Sequence, residues 1–152
     1  MHNIPIEETE NEINFFSEET EFQFEKSEFF SRLFAYFEST EQTQIGTLNY
    51  IFVSDAYLLK MNQDFLSHDY FTDVITFDYT EGEILSGDVF ISVDTVAKNA
   101  GEYQVDFENE LFRVMIHGLL HLAAYDDKSE EEQKIMRSKE DFYLNFLLSN
   151  SN

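Results

Sequence analysis

An apolar segment near residue 120 carries two histidines, and it constrains the fold more than any other part of the chain. His117 and His121 are four residues apart. On an α-helix four residues advance by about 400°, so both imidazoles leave the same face, one turn apart. A helix offers two nitrogen ligands to one metal ion at this spacing. The same spacing also fits two ordinary histidines on one helix.

The helix that would carry these histidines is predicted to begin near Asp106 and to be buried on most of its circumference. With Leu111 placed at 0° and about 100° per residue, the core stripe lies within about 60° of it. The stripe consists of Val114, Met115, Gly118 and Leu122. His117, His121 and Glu110 form a polar row beside it. Because polar side chains on a buried helix need partners, a metal ion is one good partner for the histidines.

A carboxylate from beyond the helix is a candidate third ligand. Ten residues separate Asp127 from His117, and on a continuous helix that is about 15 Å along the axis, too far to share an ion. Ser129 and Glu132 form a capping box, which predicts that a new helix begins there and runs to about Leu148. Residues 123–128 are therefore a turn from which a side chain can reach back. Asp126 competes with Asp127 for this role, its other use being hydrogen bonding within the turn.

The remaining segments predict strands and helices in the order strand, helix, strand, helix, strand, strand, and then three helices. The predicted strands are 13–16, 47–53, 72–77 (buried on both faces) and 87–92, with a further strand-like segment at 22–24 and a turn at 80–83. The predicted helix caps are Ser27, either Ser54 or Asp55, and either Asp94 or Thr95. Ile135, Met136, Phe142, Phe146 and Leu147 are the predicted core positions of the last helix. We expect one domain over residues 1–152, with residues 1–10 frayed.

Charge and composition exclude several classes of function. Nine Lys and Arg against 31 Asp and Glu leave a net charge of −22, which disfavours a general nucleic-acid binder because such a surface repels phosphate backbones. The absence of cysteine excludes disulfides, thiolate metal sites and a cysteine nucleophile. No secretory signal or membrane-spanning segment is visible, so we expect a cytoplasmic protein with no membrane partner.

Residues 117–127 read H-G-L-L-H-L-A-A-Y-D-D, residues 72–77 read T-D-V-I-T-F, and residues 87–91 read G-D-V-F-I. Together these segments resemble the YbeY family, the metal-dependent endoribonucleases of bacterial ribosomal RNA maturation. Residues 117–127 are similar to the family signature H-G-x-L-H-L-x-G-Y-D-H. Asn62 with residues 72–77 is similar to the family's N…T-D-V-L-S-F, and residues 87–91 are similar to its G-D-I-x-I. Glu110 and Arg113 also occupy family-like places.

The resemblance implies an α/β (α+β) fold, with a small mixed sheet of four strands, about five helices, and a metal site on a central helix and the following turn. It implies His117, His121 and Asp127 as ligands of one divalent ion, Zn2+ or else Ni2+. The implied activity is hydrolysis of single-stranded RNA, at the 3′ end of the 16S rRNA precursor within ribosomal particles and in ribosome quality control. Basic ribosomal proteins are the implied protein partners.

The chain departs from the family pattern at three positions. Asp127 stands where the signature has a third histidine, and an aspartate still binds zinc. Ala124 replaces the glycine of the turn, which costs about 1 kcal/mol if the backbone there is left-handed. Leu66 replaces an arginine that would hold phosphate, so that role passes to Arg113 or to a partner, or activity is reduced.

The catalytic residues are not identified by the sequence. Gly118 follows the first histidine where zinc peptidases of the HExxH type have a glutamate base, which argues against peptidase activity. Asp73 and Glu110 are candidates for a general base, and His68 is a lone loop histidine. Two other functions fit the pattern: a metal-dependent hydrolase with another substrate, and a non-enzymatic ribosome-assembly factor that docks basic ribosomal proteins.

Overall fold

The nine helices and strands of the computed structural model, which describes residues 11–66 and 72–149, follow the predicted order. They are β1 (Glu12–Glu18), α1 (Ser27–Glu41), β2 (Gln44–Val53), α2 (Asp55–Leu66), β3 (Val74–Asp78), β4 (Ile84–Ser92), α3 (Val93–Tyr103), α4 (Phe107–Leu122) and α5 (Glu130–Ser149). The four-stranded mixed sheet and five helices confirm the predicted fold class. The expected fraying of residues 1–10 and the loop with His68 lie outside the described residues. No described helix is long and apolar enough to cross a membrane.

The sheet has the strand order β1-β2-β4-β3, in which β3 is the antiparallel edge strand. The other three strands are parallel to one another. A tight hairpin joins β3 to β4, and Gly82 at φ 62° supplies its left-handed residue. The prediction that residues 72–77 form a strand buried on both faces is wrong. Only Ile75 of β3 is fully buried, because an edge strand has a neighbour on one side only.

Alternating side chains of β2 divide the core between the two faces of the sheet. Leu48, Tyr50 and Phe52 point into the larger core, which α1, α4 and α5 also enter. Ile51 and Val53 belong to a smaller core on the α2 side. Since the sheet is covered on both faces, the continuous apolar character of β2 is explained. The Tyr50 hydroxyl also donates to the Met115 carbonyl at 3.2 Å, which ties the central strand to α4.

The strand-like segment at residues 22–24 is not a strand. Its two aromatic rings fill the core without joining the sheet: Phe24 stacks on Phe52 with 5.0 Å between ring centroids, and Phe22 meets Phe107 edge-on at 5.8 Å. The alternation therefore reflected burial of every second residue, which an irregular segment achieves as well as a strand.

Two of the predicted helix caps differ from the observed ones. Ser27 is the first residue of α1, and Lys26 precedes it without a capping side chain. The cap of α3 is Ser92, whose hydroxyl accepts from the Thr95 amide at 3.1 Å, in place of Asp94 or Thr95. For α2 the hydroxyl of Ser54 accepts from the Tyr57 amide.

The inward face of α5 differs from the predicted one and matters for the site. Met136 and Leu147 are buried as predicted, whereas Ile135 and Phe142 are 49% and 45% exposed. Residues 140, 143 and 144 are buried in their place. This rotation brings a carboxylate, that of Glu140, onto the face that packs against α4.

Gly118 lets α4 lie unusually close to the sheet. A Cβ atom at this position would stand 2.6 Å from Cγ1 of Val89 on β4. The glycine therefore serves tight packing of the helix against the sheet. This close contact also fixes the distance between the neighbouring His117 and the sheet.

We expect Gly118→Ala to lower the free energy of unfolding by about 1–3 kcal/mol, because the new methyl overlaps Val89 in a close-packed core. Urea unfolding followed by circular dichroism measures this. The matched control is Gly101→Ala in α3, where a Cβ meets nothing within 4 Å. That change should stabilise the protein by up to about 1 kcal/mol through helix propensity. Equal stability of Gly118→Ala and wild type would contradict the packing argument.

Candidate metal centre

The structure brings His117, His121 and Asp127 together as one group. Oδ2 of Asp127 lies 3.4 Å from Nε2 of His117 and 3.6 Å from Nε2 of His121. One ligand atom from each residue lies within 4.8 Å of the others, and no other such group of three occurs in residues 11–66 and 72–149. Asp126, the competing candidate, is exposed and outside this group.

The turn after α4 reverses the direction of the chain, so that the Asp127 side chain faces back toward α4. The amides of Ala123 and Tyr125 donate to carbonyls of the last helical turn, and Ala124 between them adopts φ 77°. The predicted capping box follows: the Glu132 amide donates to the Ser129 hydroxyl at 3.0 Å, and the Ser129 amide donates to the Glu132 carboxylate at 3.1 Å. These local bonds confirm the predicted turn and the start of α5.

Two further contacts hold the end of the turn against α5. The side-chain amide of Gln133 donates to the Asp127 carbonyl at 3.0 Å, and the Lys128 amide donates to the Glu132 carboxylate at 3.0 Å. The peptide unit that follows Asp127 is thus fixed to the first turn of α5.

Glu140 on α5 orients the His117 ring. Its Oε2 lies 2.6 Å from Nδ1 of His117, and the residue is only 6% exposed. In the tautomer whose Nδ1–H donates to Glu140, the lone pair of Nε2 points toward Asp127, as a metal ligand requires. The other oxygen of Glu140 accepts from Nη1 of Arg113 at 3.1 Å. A carboxylate held in this way keeps the imidazole in one orientation.

The sequence analysis did not identify Glu140, although a signal for it exists. Glu140 lies four residues after Met136 and four before Leu144, both buried, so it occupies a core position of α5. A carboxylate on a core stripe needs a partner. The partner could not be read from the sequence, because His117 is 23 residues away.

Arg113 was a candidate for the phosphate-binding role of the missing family arginine, and the structure gives it another role. Its second nitrogen, Nη2, donates to Asp141 at 2.7 Å while Nη1 donates to Glu140. The guanidinium is therefore bound by two carboxylates and supports the Glu140–His117 pair. Leu66, at the position of the family arginine, ends α2 and is 40% exposed.

The two histidines differ in their affinity for a proton. Burial alone would lower the pKa of His117, but the hydrogen bond and charge of Glu140, with the charges of Asp127 and Asp73, raise this pKa above its ordinary value. Burial and the neighbouring His117 together lower the pKa of His121. His121 is thus neutral at neutral pH, and a metal ion competes with a proton mainly at His117.

Asp73 and Glu110, the two candidates for a general base, lie near the group but are not members of it. Burial raises the pKa of Asp73, the charges of Glu140 and Asp127 add to the increase, and the charge of His117 opposes it. Burial and the charge of Asp73 raise the pKa of Glu110. Both carboxyl groups therefore hold protons more strongly than exposed ones do.

A groove of about 850 Å³ opens beside the group and runs along α5. His117, Asp127 and Glu140 form one side of it, and Lys134 and Arg137 line it from α5. Neither cation forms a salt bridge with another described residue. The groove thus joins the candidate metal site to two cations, with the carboxylates of Glu130 and Asp141 also in its lining.

The donor set fits one divalent ion. Two ligand atoms at about 2.1 Å from a tetrahedral zinc ion are about 3.4 Å apart, close to the separations between Asp127 and the histidines. Two imidazole nitrogens and one carboxylate oxygen also suit zinc, which binds both ligand types. The Glu140 carboxylate on Nδ1 of His117 is the outer partner that metal-ligating histidines almost always have.

Comparisons with known proteins agree on one family. The model of the family described as "Endoribonuclease YbeY" matches residues 8–148. The endoribonuclease YbeY of Flavobacterium johnsoniae is 46% identical over 126 residues, which cover 83% of this chain and 91% of that protein. That of Cytophaga hutchinsonii is 47% identical over 137 residues, or 89% and 95% of the two chains. The solution structure of TM1509 from Thermotoga maritima matches with a TM-score of 0.61 and 31% identity, over 90% of this chain and 89% of that one.

Ala124→Gly should raise the free energy of unfolding of the metal-free protein by up to about 1 kcal/mol, since glycine adopts a positive φ without the steric cost that alanine has there. The matched control is Ala123→Gly, at φ −91°, which should destabilise by about 0.5–1 kcal/mol. Urea unfolding measures both. Similar destabilisation by the two changes would mean that the turn stores no strain at Ala124.

Proposed function

The chain belongs to the YbeY family of endoribonucleases, and from this premise we propose that it hydrolyses single-stranded RNA with a divalent ion bound by His117, His121 and Asp127. The observation that supports this most is the convergence of two Nε2 atoms on Oδ2 of Asp127, at 3.4 and 3.6 Å. The residues that converge are those of the segment that resembles the family signature.

Zinc is the proposed ion, with nickel as the alternative, because the donor set contains two imidazoles and one carboxylate but no thiolate. Three protein ligands leave one position of a tetrahedral ion open, as in catalytic zinc sites. Such an ion supplies Lewis acidity toward a phosphoryl oxygen and lowers the pKa of water. Asp127 adds a negative charge that a third imidazole would not, so this acidity is weaker than with three histidines.

Other side chains orient the ligand His117 and contact the RNA. Glu140 holds His117 in the metal-binding tautomer, and Arg113 holds Glu140. We assign the contact with RNA phosphates to Arg137 and Lys134, which line the groove beside the ligands. Arg137 forms no salt bridge within the described residues, so its guanidinium is available for a bidentate contact with a phosphate, whereas Arg113 is bound by two carboxylates.

In the cell, the proposed substrate is the 3′ end of the 16S rRNA precursor in ribosomal particles, with a role in ribosome quality control in the cytoplasm. The net charge of −22 supports a substrate presented within a particle, because this surface repels free RNA at long range. Basic ribosomal proteins are the proposed contacts for the acidic surface, and attraction to them would offset the repulsion.

Purified wild-type protein should contain about one equivalent of zinc, and Asp127→Ala should lose most of it because one of three ligands is removed. Asp126→Ala is the matched control and should keep its metal. Metal analysis and cleavage of a single-stranded RNA that spans the 16S 3′ end measure both properties. Cleavage should disappear in His117→Ala and His121→Ala. Wild type that takes up no metal after reconstitution, or cleavage that persists in both histidine variants, would refute the proposal.

Arg137→Ala should raise the KM for RNA by about tenfold or more, since a charge-assisted hydrogen bond contributes about 1.5–3 kcal/mol. Its zinc content should stay unchanged, because Arg137 is not a ligand. The matched control is Arg32→Ala on α1, where the guanidinium lies 5.5 Å from the Phe29 ring centroid, outside the groove. Equal KM values for the two variants would show that Arg137 does not contact the RNA.

A further inference from the structure

A carboxylate at the end of α1 collects three donors from other parts of the chain. Oε1 of Glu41 accepts from the Tyr125 hydroxyl at 2.7 Å. Oε2 accepts from Nζ of Lys139 at 3.0 Å and from the Tyr143 hydroxyl. The Glu41 side chain is only 10% exposed. Burial raises its pKa, but the hydrogen bonds from Tyr143, Tyr125 and Lys139 lower it overall, so Glu41 is ionised at neutral pH.

Two of the three donors lie on α5, and the third lies in the turn that carries Asp127. Lys139 and Tyr143 lie on α5 and join that helix to α1. Tyr125 lies in the turn, two residues before Asp127, and Lys139 also stands 5.4 Å from the centroid of its ring. Only the Tyr125 bond therefore connects α1 to the turn that carries a ligand.

The turn depends on this bond because its own backbone is strained. Ala124, next to Tyr125, adopts φ 77°, a conformation that alanine disfavours. The Tyr125 hydroxyl joins this turn to two other elements: it donates to Glu41 on α1 at 2.7 Å, and it is also hydrogen-bonded to Lys139 on α5. A charge-assisted bond to a largely buried carboxylate is strong enough to hold such a turn.

We propose that Glu41 is a positioning residue for the metal centre: through Tyr125 it fixes the turn so that the Asp127 carboxylate stands against His117 and His121. This inference rests on the proposed function of the three residues as metal ligands. Gln133 holds the Asp127 carbonyl from α5, whereas Tyr125 holds the segment that leads from α4 to Asp127. Without the Tyr125 bond, that segment has to be ordered when the metal binds, and part of the binding energy is spent on that ordering.

The test is a double-mutant cycle on the affinity of the metal-free, folded protein for Zn2+, measured by competition with a chromophoric chelator. Tyr125→Phe keeps the ring and removes the hydroxyl, and it should weaken Zn2+ binding about tenfold, as changes in the outer partners of metal ligands do. In an Asp127→Ala background the same change should have no further effect, because no carboxylate remains to be positioned. An equal weakening in both backgrounds, or none in either, would overturn the inference.

Tyr143→Phe is the matched control, since it removes another hydroxyl from the same carboxylate but does not touch the turn. It should lower the melting temperature and change the Zn2+ affinity by less than about threefold. Glu41→Gln removes the charge from all three bonds and should repeat the result of Tyr125→Phe in both backgrounds. It therefore replaces that variant if Tyr125→Phe does not fold.

The cycle also separates the two proposals. If wild type binds no Zn2+, the proposed metal centre fails and the inference fails with it. Suppose instead that wild type binds Zn2+ and that Asp127→Ala lowers the affinity. If Tyr125→Phe then lowers the Zn2+ affinity equally in both backgrounds, only the positioning role of Glu41 fails. Co2+ substitution gives a second readout, because the visible spectrum should change in Tyr125→Phe and stay unchanged in Tyr143→Phe.

Discussion

The packing of α4 against β4 is the constraint on which the rest of the site depends. Gly118 allows the helix to lie so close to Val89 that no Cβ fits between them. A helix buried to this extent must find partners for every polar side chain on it. Glu110, His117 and His121 form a polar row beside the core stripe, and the elements after α4 supply partners for the two histidines. The turn brings Asp127 and α5 brings Glu140.

Charge is distributed very unevenly in this protein. The net charge of −22 would repel RNA, yet Lys134 and Arg137 line the groove beside the proposed ligands, and neither forms a salt bridge within the described residues. Arg113 is held by two carboxylates and serves the internal order of the site. The groove also carries the carboxylates of Glu130 and Asp141, so the two cations are local contacts within an acidic surface. The proposed presentation of the substrate by a basic partner would offset the repulsion that remains.

Two of the three departures from the family pattern, Ala124 and Asp127, lie in the turn between α4 and α5. Ala124 takes the left-handed conformation that the signature's glycine would adopt at lower cost. Asp127, the proposed third ligand, is shorter than the histidine of the signature, so its backbone must lie at a suitable distance from α4. Two hydrogen bonds hold the backbone there: that of the Tyr125 hydroxyl directly after Ala124, and that of Gln133 to the Asp127 carbonyl.

The order of the nine elements, the two histidines on one helix face and the capping box at Ser129 were all predictable from the sequence, because each depends on residues within a few positions of one another. The edge position of β3, the rotation of α5 and the cap at Ser92 were not. The Glu140–His117 pair spans 23 residues and the Tyr125–Glu41 pair spans 84. The sequence by itself thus determined which residue types could bind a metal. Only the tertiary structure decided which carboxylates reach the histidines, because that depends on how distant elements pack.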